Sequence, residues 1–178
     1  MQRWKTVDPA GLAEAMRELR REIGERPVMF VCIGTDRSTG DAFGPLVGTG
    51  LVNAGFRRVV GTLAAPCDAH TLPSRIAEIS AAAREGRAVI AVDAALGRAE
   101  SVGKFQVTAV PTLPGLSTGK TLPPVGDYGI AGIVNSVDQK QKSYMILQNT
   151  PLYRVMTMAE QLVAAVAAAF PRRDGGGT

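Results

Sequence analysis

The residues best suited to chemistry in this chain are carboxylates set beside apolar runs. The stretch VCIGTDRSTGDAFGPL (31–46) leaves an apolar segment for a glycine-punctuated loop carrying Asp36, Arg37, Ser38 and Asp41. A second apolar segment, VIAVDAA (89–95), runs into Asp93. Two carboxyl groups held a few ångströms apart cannot both ionise easily, so one pKa rises and the other falls. Such a pair can activate a water and protonate a leaving amine, or hold a divalent metal. The plainer roles stay open: Asp41 could N-cap the following helix, and an acid at a strand end could cap a loop.

A rival constellation is PCDAHT (66–71), where Cys67 stands three residues before His70, the single histidine of the chain. A thiolate–imidazole pair would suit acyl transfer. His70 as a helper of the acids, by proton transfer or as a ligand, fits the pattern better. Two nucleotide motifs are dismissed. PGLSTGKT (114–121) puts Pro114 where the phosphate loop needs its first glycine, and LPPV follows where a helix must begin. The loop after the first strand lacks G-x-G-x-x-G spacing.

Positioning these residues requires a scaffold, and the composition supplies one. The chain has 178 residues, enough for one domain, with 46% apolar and only 5% aromatic residues, so aliphatic packing must dominate the core. Net charge is +4, and the basic residues are scattered among acids without an interleaved aromatic stripe, which argues against a nucleic-acid surface. Two cysteines are too few for a disulfide framework or a structural zinc site. With no signal peptide and no apolar run of membrane-spanning length, the protein reads as cytosolic.

Periodicity predicts a leading amphipathic helix over 9–23 and a first strand at VMFVCIG (28–34), apolar throughout as a strand covered on both faces would be. Then follow a small-residue helix (43–55), a strand (57–66), a helix (71–86) and a third strand (87–95). A fourth strand (103–111) comes after a connection too short for a crossover, so it is expected to pair antiparallel with the third. A loop over 112–126, a short helix over 127–137, a fifth strand over 143–150 and a terminal helix over 151–170 complete the reading. The tail 171–178 is expected to be disordered. The fold expected is a single-domain α/β three-layer sandwich, core about 27–170, on a twisted, mostly parallel sheet of about five strands. Ligands of such sheets bind at the carboxyl ends of the strands. That end would gather Asp36, Arg37, Ser38 and Asp41; Cys67, Asp68 and His70; Asp93; and Asp127 with Asn135 flanking the fourth connection.

IGTDRSTGDAFGPLVGT together with TLPPVGDYGIAGIVN (121–135) resembles the YyaC family of sporulation proteins from spore-forming bacteria. That family is similar in turn to the germination protease of spores and, more distantly, to hydrogenase maturation endopeptidases, which share a twisted, largely parallel α/β fold. The resemblance implies that Asp41, in its GDAFGP context, and Asp93, in VIAVDAA, are a catalytic pair. Asp36, Arg37, Ser38, His70, Asp127 and Asn135 would support it or position substrate. It implies a peptide or small spore protein as substrate, no cofactor, no membrane or nucleic-acid partner, a possible assembly with further copies, and a location in the forespore or spore core. If a metal were used, Asp41, Asp93 and His70 would be its ligands, since no histidine follows Asp93. Two other readings remain open at this point: a non-enzymatic protein whose cleft binds a peptide, and a metal-binding maturation factor.

Overall fold

The computed structural model describes residues 4–114 and 122–172. Most of the dismissed phosphate-loop match (115–121) and the tail from 173 lie outside them. Six strands form one mixed sheet: β1 (Trp4–Val7), β2 (Val28–Cys32), β3 (Val59–Val60), β4 (Ala88–Gly97), β5 (Phe105–Thr108) and β6 (Tyr128–Ser136), in the order β1-β5-β6-β4-β2-β3. The pairings β2–β3, β2–β4 and β4–β6 are parallel, whereas β5–β6 and β1–β5 are antiparallel. The α/β class is as expected, with six strands in place of about five.

Helix α1 (Leu12–Ile23) buries Leu12, Met16, Leu19 and Ile23 on one stripe, as their spacing predicts, and Asp8 caps the turn leading into it with Oδ1 accepting from the Gly11 amide. Together with α2 (Phe43–Asn53) and α5 (Leu152–Ala169) it covers one sheet face over Phe30, Ile90, Val92, Phe105 and Ile130. Helix α3 (Leu72–Arg84) covers the other face only over Met29, Val31, Val89 and Ala91. That leaves the opposite half of this face, on β4, β5 and β6, without a covering helix among the described residues. No helix among the described residues is long and apolar enough to cross a membrane.

Four expectations are corrected. The stretch expected as a short helix over 127–137 holds β6 (Tyr128–Ser136) instead. Its apolar positions Ile130, Ile133 and Val134 also fit helical spacing, and the slot between β4 and β5 decides for a strand. Consequently β5 does not pair with β4; β6 separates them. Residues 143–150 contain helix α4 (Ser143–Gln148), not a strand, because the four-residue apolar run within it carries too little periodicity to distinguish the two. Finally, the sheet begins at β1, an edge strand too short to announce itself, tied down by a 2.6 Å ion pair between Lys5 and Glu18.

Candidate active site

Asp93 stands six residues into β4 rather than at its end, and the register explains why this position matters. The last residue pair between β4 and β2 is Val92 with Cys32, so the β2 side of β4 is vacated at Asp93. The chain leaving β2 fills that space. Ile33 N–H still donates to Val92 O (2.7 Å), Gly34 N–H donates to Cys67 O (3.0 Å), and Thr35 N–H donates to Asp41 O (3.1 Å), closing the loop on itself. Gly34 is required here: its φ is +146°, and a Cβ would lie 2.0 Å from Asp41 O. Gly44 is required one turn later, since a Cβ there would lie 1.9 Å from Ile33 O, so α2 can start directly against the strand end. Asp41 lies in the 3-10 turn before α2 and does not use its side chain as an N-cap.

The two carboxyls sense each other. Burial pushes the Asp93 carboxyl up to about 7; the Ala94 amide, donating to Oδ1 at 2.8 Å, counters this, and the charge of Asp41 adds to it. Asp41 is also raised by burial, with the Ser38 hydroxyl beside it pulling the other way. Ser38 Oγ is itself buried and meets no hydrogen-bond partner of good geometry among the described residues. Both carboxyls are thus raised above the usual aspartate range, and Asp93 keeps its proton well above the pH at which a free aspartate loses it.

Asp93 opens onto a cavity of about 720 Å³ on the half of this sheet face that no helix among the described residues covers. Its floor is Asp93, Ala95, Gln106, Thr108, Gly129 and Ala131, small or polar positions on neighbouring strands, and Asp93 pairs in register with Ala131. Val110, Leu113 and Val137 stand at the rim, and Leu113 and Val137 are 52% and 60% exposed. Among the described residues Asp93 is the only ionisable group lining this space. A groove of this volume with an acid of raised pKa on its floor can take a stretch of peptide and hydrogen-bond a carbonyl.

The other sequence-derived candidates separate. Asp36 is exposed in the loop that carries Asp41. Arg37, 72% exposed at its side chain, donates to Thr35 Oγ1 (3.3 Å) and to Asp68 Oδ2 (3.2 Å), tying that loop to the turn after β3. Asp68 Oδ1 accepts from the His70 and Thr71 amides; burial alone would raise its pKa, but these bonds hold it below the usual range. His70 is exposed in that turn and is not drawn to the Asp41–Asp93 pair. Among the described residues no three His, Cys, Asp or Glu groups gather as ligands, so this chain offers a metal two carboxylates and not the triad with His70. Cys67 is buried and its thiol pushed up to about 11, which removes the thiolate a Cys67–His70 nucleophile would need.

Asn135, at the carboxyl end of β6, donates from Nδ2 to Thr150 Oγ1 (3.2 Å) and accepts the Ser136 amide (2.9 Å), so it joins β6 to the start of α5. Asp127 lies at the opposite pole, at the amino end of β6, where Oδ2 accepts from Arg26 (3.2 Å) and from the Val89 amide (3.1 Å). It is structural rather than a neighbour of the pair, a displacement that follows directly from β6 being a strand.

With this geometry in view, comparison with known proteins places the chain. A family model described as a protein of unknown function, DUF1256, matches residues 4–165. The chain belongs to this family. A curated relative, the uncharacterized protein YyaC of Bacillus subtilis (strain 168), is 46% identical over 151 residues, covering 84% of this chain and 72% of the relative. The resemblance drawn from the two long motifs therefore holds at family level. A crystal structure of a NiFe hydrogenase maturation protease, HycI from Thermococcus kodakarensis KOD1, is similar with a TM-score of 0.49 and 19% identity, covering 79% of this chain and 92% of that one. Within this DUF1256 chain, sequence reasoning missed Gln106, Thr108 and Ala131 as groove residues. The alternation in FQVT, with Phe105 and Val107 in the core, carried the signal for the first two.

Proposed function

We propose that this DUF1256 protein is an endopeptidase-like hydrolase in which Asp41 and Asp93 share a proton and cleave a peptide laid along the β4–β6 groove. The observation that carries the reading is the Asp93 carboxyl, pushed up to about 7 by burial and by Asp41, on the floor of a cavity that no other charged group among the described residues lines. Near neutral pH Asp93 holds the proton and hydrogen-bonds the substrate carbonyl. The Asp41 carboxylate takes a proton from water as that water's oxygen bonds to the carbonyl carbon, and the Asp93 proton passes to the carbonyl oxygen. Asp41 then gives its proton to the amide nitrogen, the C–N bond breaks, and a hydroxyl proton of the intermediate returns to Asp93. Water is the only co-reactant.

In this reading Ser38 keeps its buried hydroxyl beside Asp41, where it lowers that carboxyl's pKa, and Arg37 anchors the loop through Asp68. Asp36 and His70, on the exposed turns above, contact the substrate only outside the scissile bond. The resemblance to sporulation proteins directs the first assay to spore proteins. An extract is incubated with the purified protein, Asp41→Asn and Asp93→Asn across pH 4–8, and new peptide termini are read by mass spectrometry. Defined termini made by the wild type and by neither variant support the proposal. No cleavage by a folded wild type across that range overturns it and leaves a peptide-binding cleft.

A further inference from the structure

The pole opposite the aspartate pair gathers a charge that the sequence disperses. Arg20 on α1, Arg26 before β2, Arg57 and Arg58 before β3, and Arg172 beyond α5 line one cavity of about 320 Å³, with Glu25 as its only lining carboxylate among the described residues. At about 30 Å³ per water this space corresponds to roughly ten waters, room for a diphosphate group. Asp127 offsets Arg26, but Arg57 and Arg172 remain like charges in one concavity, which repel unless an anion joins them, and nothing in the peptide-cleaving reading uses them.

The floor is rigid. Phe56 and Phe170 are buried and each packs edge-on against Phe30, with ring centroids 5.5 and 5.9 Å away. Two of the arginines are held in place from behind. Arg20 lies 5.9 Å over the Phe170 ring and donates to Arg26 O at 3.1 Å. Arg26 donates to Gly86 O (3.2 Å), Arg87 O (2.8 Å) and Asp127 Oδ2 (3.2 Å). Arg57 and Arg172 are exposed and make no side-chain hydrogen bond or ion pair among the described residues, so their forked donors remain available. A guanidinium fork matches phosphate oxygens two at a time.

We infer that this cavity is a binding site for a small phosphate-bearing anion of the diphosphate class, separate from the aspartate pair. The probe is inorganic pyrophosphate, titrated calorimetrically into the wild type, Arg57→Ala/Arg172→Ala and, as a control, Arg84→Ala on exposed α3. Charge-assisted bonds of this kind are each equivalent to about tenfold in affinity or more, so the double variant should bind about 100-fold more weakly. Wild-type affinity should fall between 50 and 200 mM salt, and Arg84→Ala should match the wild type. Circular dichroism confirms that the double variant is folded; because both side chains are exposed, its Tm should be unchanged. No pyrophosphate binding by the wild type, equal binding by the double variant, or an equal loss in Arg84→Ala overturns the inference. A single-stranded oligonucleotide binding more tightly than pyrophosphate, with the same sensitivity to the double variant, also overturns it, because the surface would then read a nucleic-acid backbone. Peptide cleavage should be the same in all three proteins, so the inference and the proposed peptidase activity stand or fall separately.

Discussion

Replacing Asp93 by Asn should stabilise the protein at alkaline pH and remove a pH dependence that the wild type possesses. The folded protein holds this carboxyl at about 7, against 3.8 for an unhindered aspartate, chiefly through burial and in part through Asp41. A carboxyl whose pKa is raised on folding binds its proton more tightly in the folded chain. Its contribution is therefore fully present below about pH 4, is lost as pH rises towards 7, and is flat beyond. Three pH units at about 1.4 kcal/mol each bound the effect at about 4 kcal/mol, and the partial solvent contact of Asp93 brings the expected value to about 2–4 kcal/mol. Asn preserves the shape and the Oδ1 acceptor for the Ala94 amide, so the comparison isolates the ionisation. Glu14 and Asp68, held below their usual range, oppose this trend at acid pH, but they do so equally in both proteins. The assay is urea unfolding of wild type and Asp93→Asn at intervals from pH 4 to 8.5. The gap between the two stability curves should widen with pH in favour of the variant. Parallel curves, separated by a constant amount within about 0.5 kcal/mol, would show that Asp93 ionises like an ordinary surface acid, and the shared-proton reasoning would fail.

Asp41→Asn should lower the Asp93 pKa by removing a neighbouring charge, seen as an acid-ward shift of its carboxyl carbon titration by NMR, with peptide cleavage down by about 100-fold or more. Gly44→Ala should cost about 3 kcal/mol or more in urea unfolding, because the added Cβ would meet Ile33 O at 1.9 Å, a backbone atom that cannot swing away. Arg37→Ala should change stability by less than about 1 kcal/mol, since its ion pair with Asp68 is exposed, while raising KM by loosening the loop that carries Asp41. Ala131→Leu, filling the groove opposite Asp93 in register, should weaken peptide binding by about tenfold or more with folding intact, measured by fluorescence titration on an Asp93→Asn background.

The sequence by itself determined the local devices. The apolar run of β2, the stripe of α1 and the loop bearing Asp36, Arg37, Ser38 and Asp41 are consequences of short-range patterning, and all three stand where periodicity put them. The family, too, was legible in two long motifs. Segments whose apolar residues fit both periods were not: 128–136 became a strand because the sheet offered it two partners, and 143–148 became a helix because it had none. That choice moved Asp127 to the far pole, set Asn135 against Thr150, and laid Ala131 beside Asp93. The raised Asp93 pKa and the arginine cavity belong to tertiary structure alone. Both arise from groups distant in sequence that the fold brings into one space, and electrostatic interaction depends on separation and burial, neither of which sequence spacing encodes.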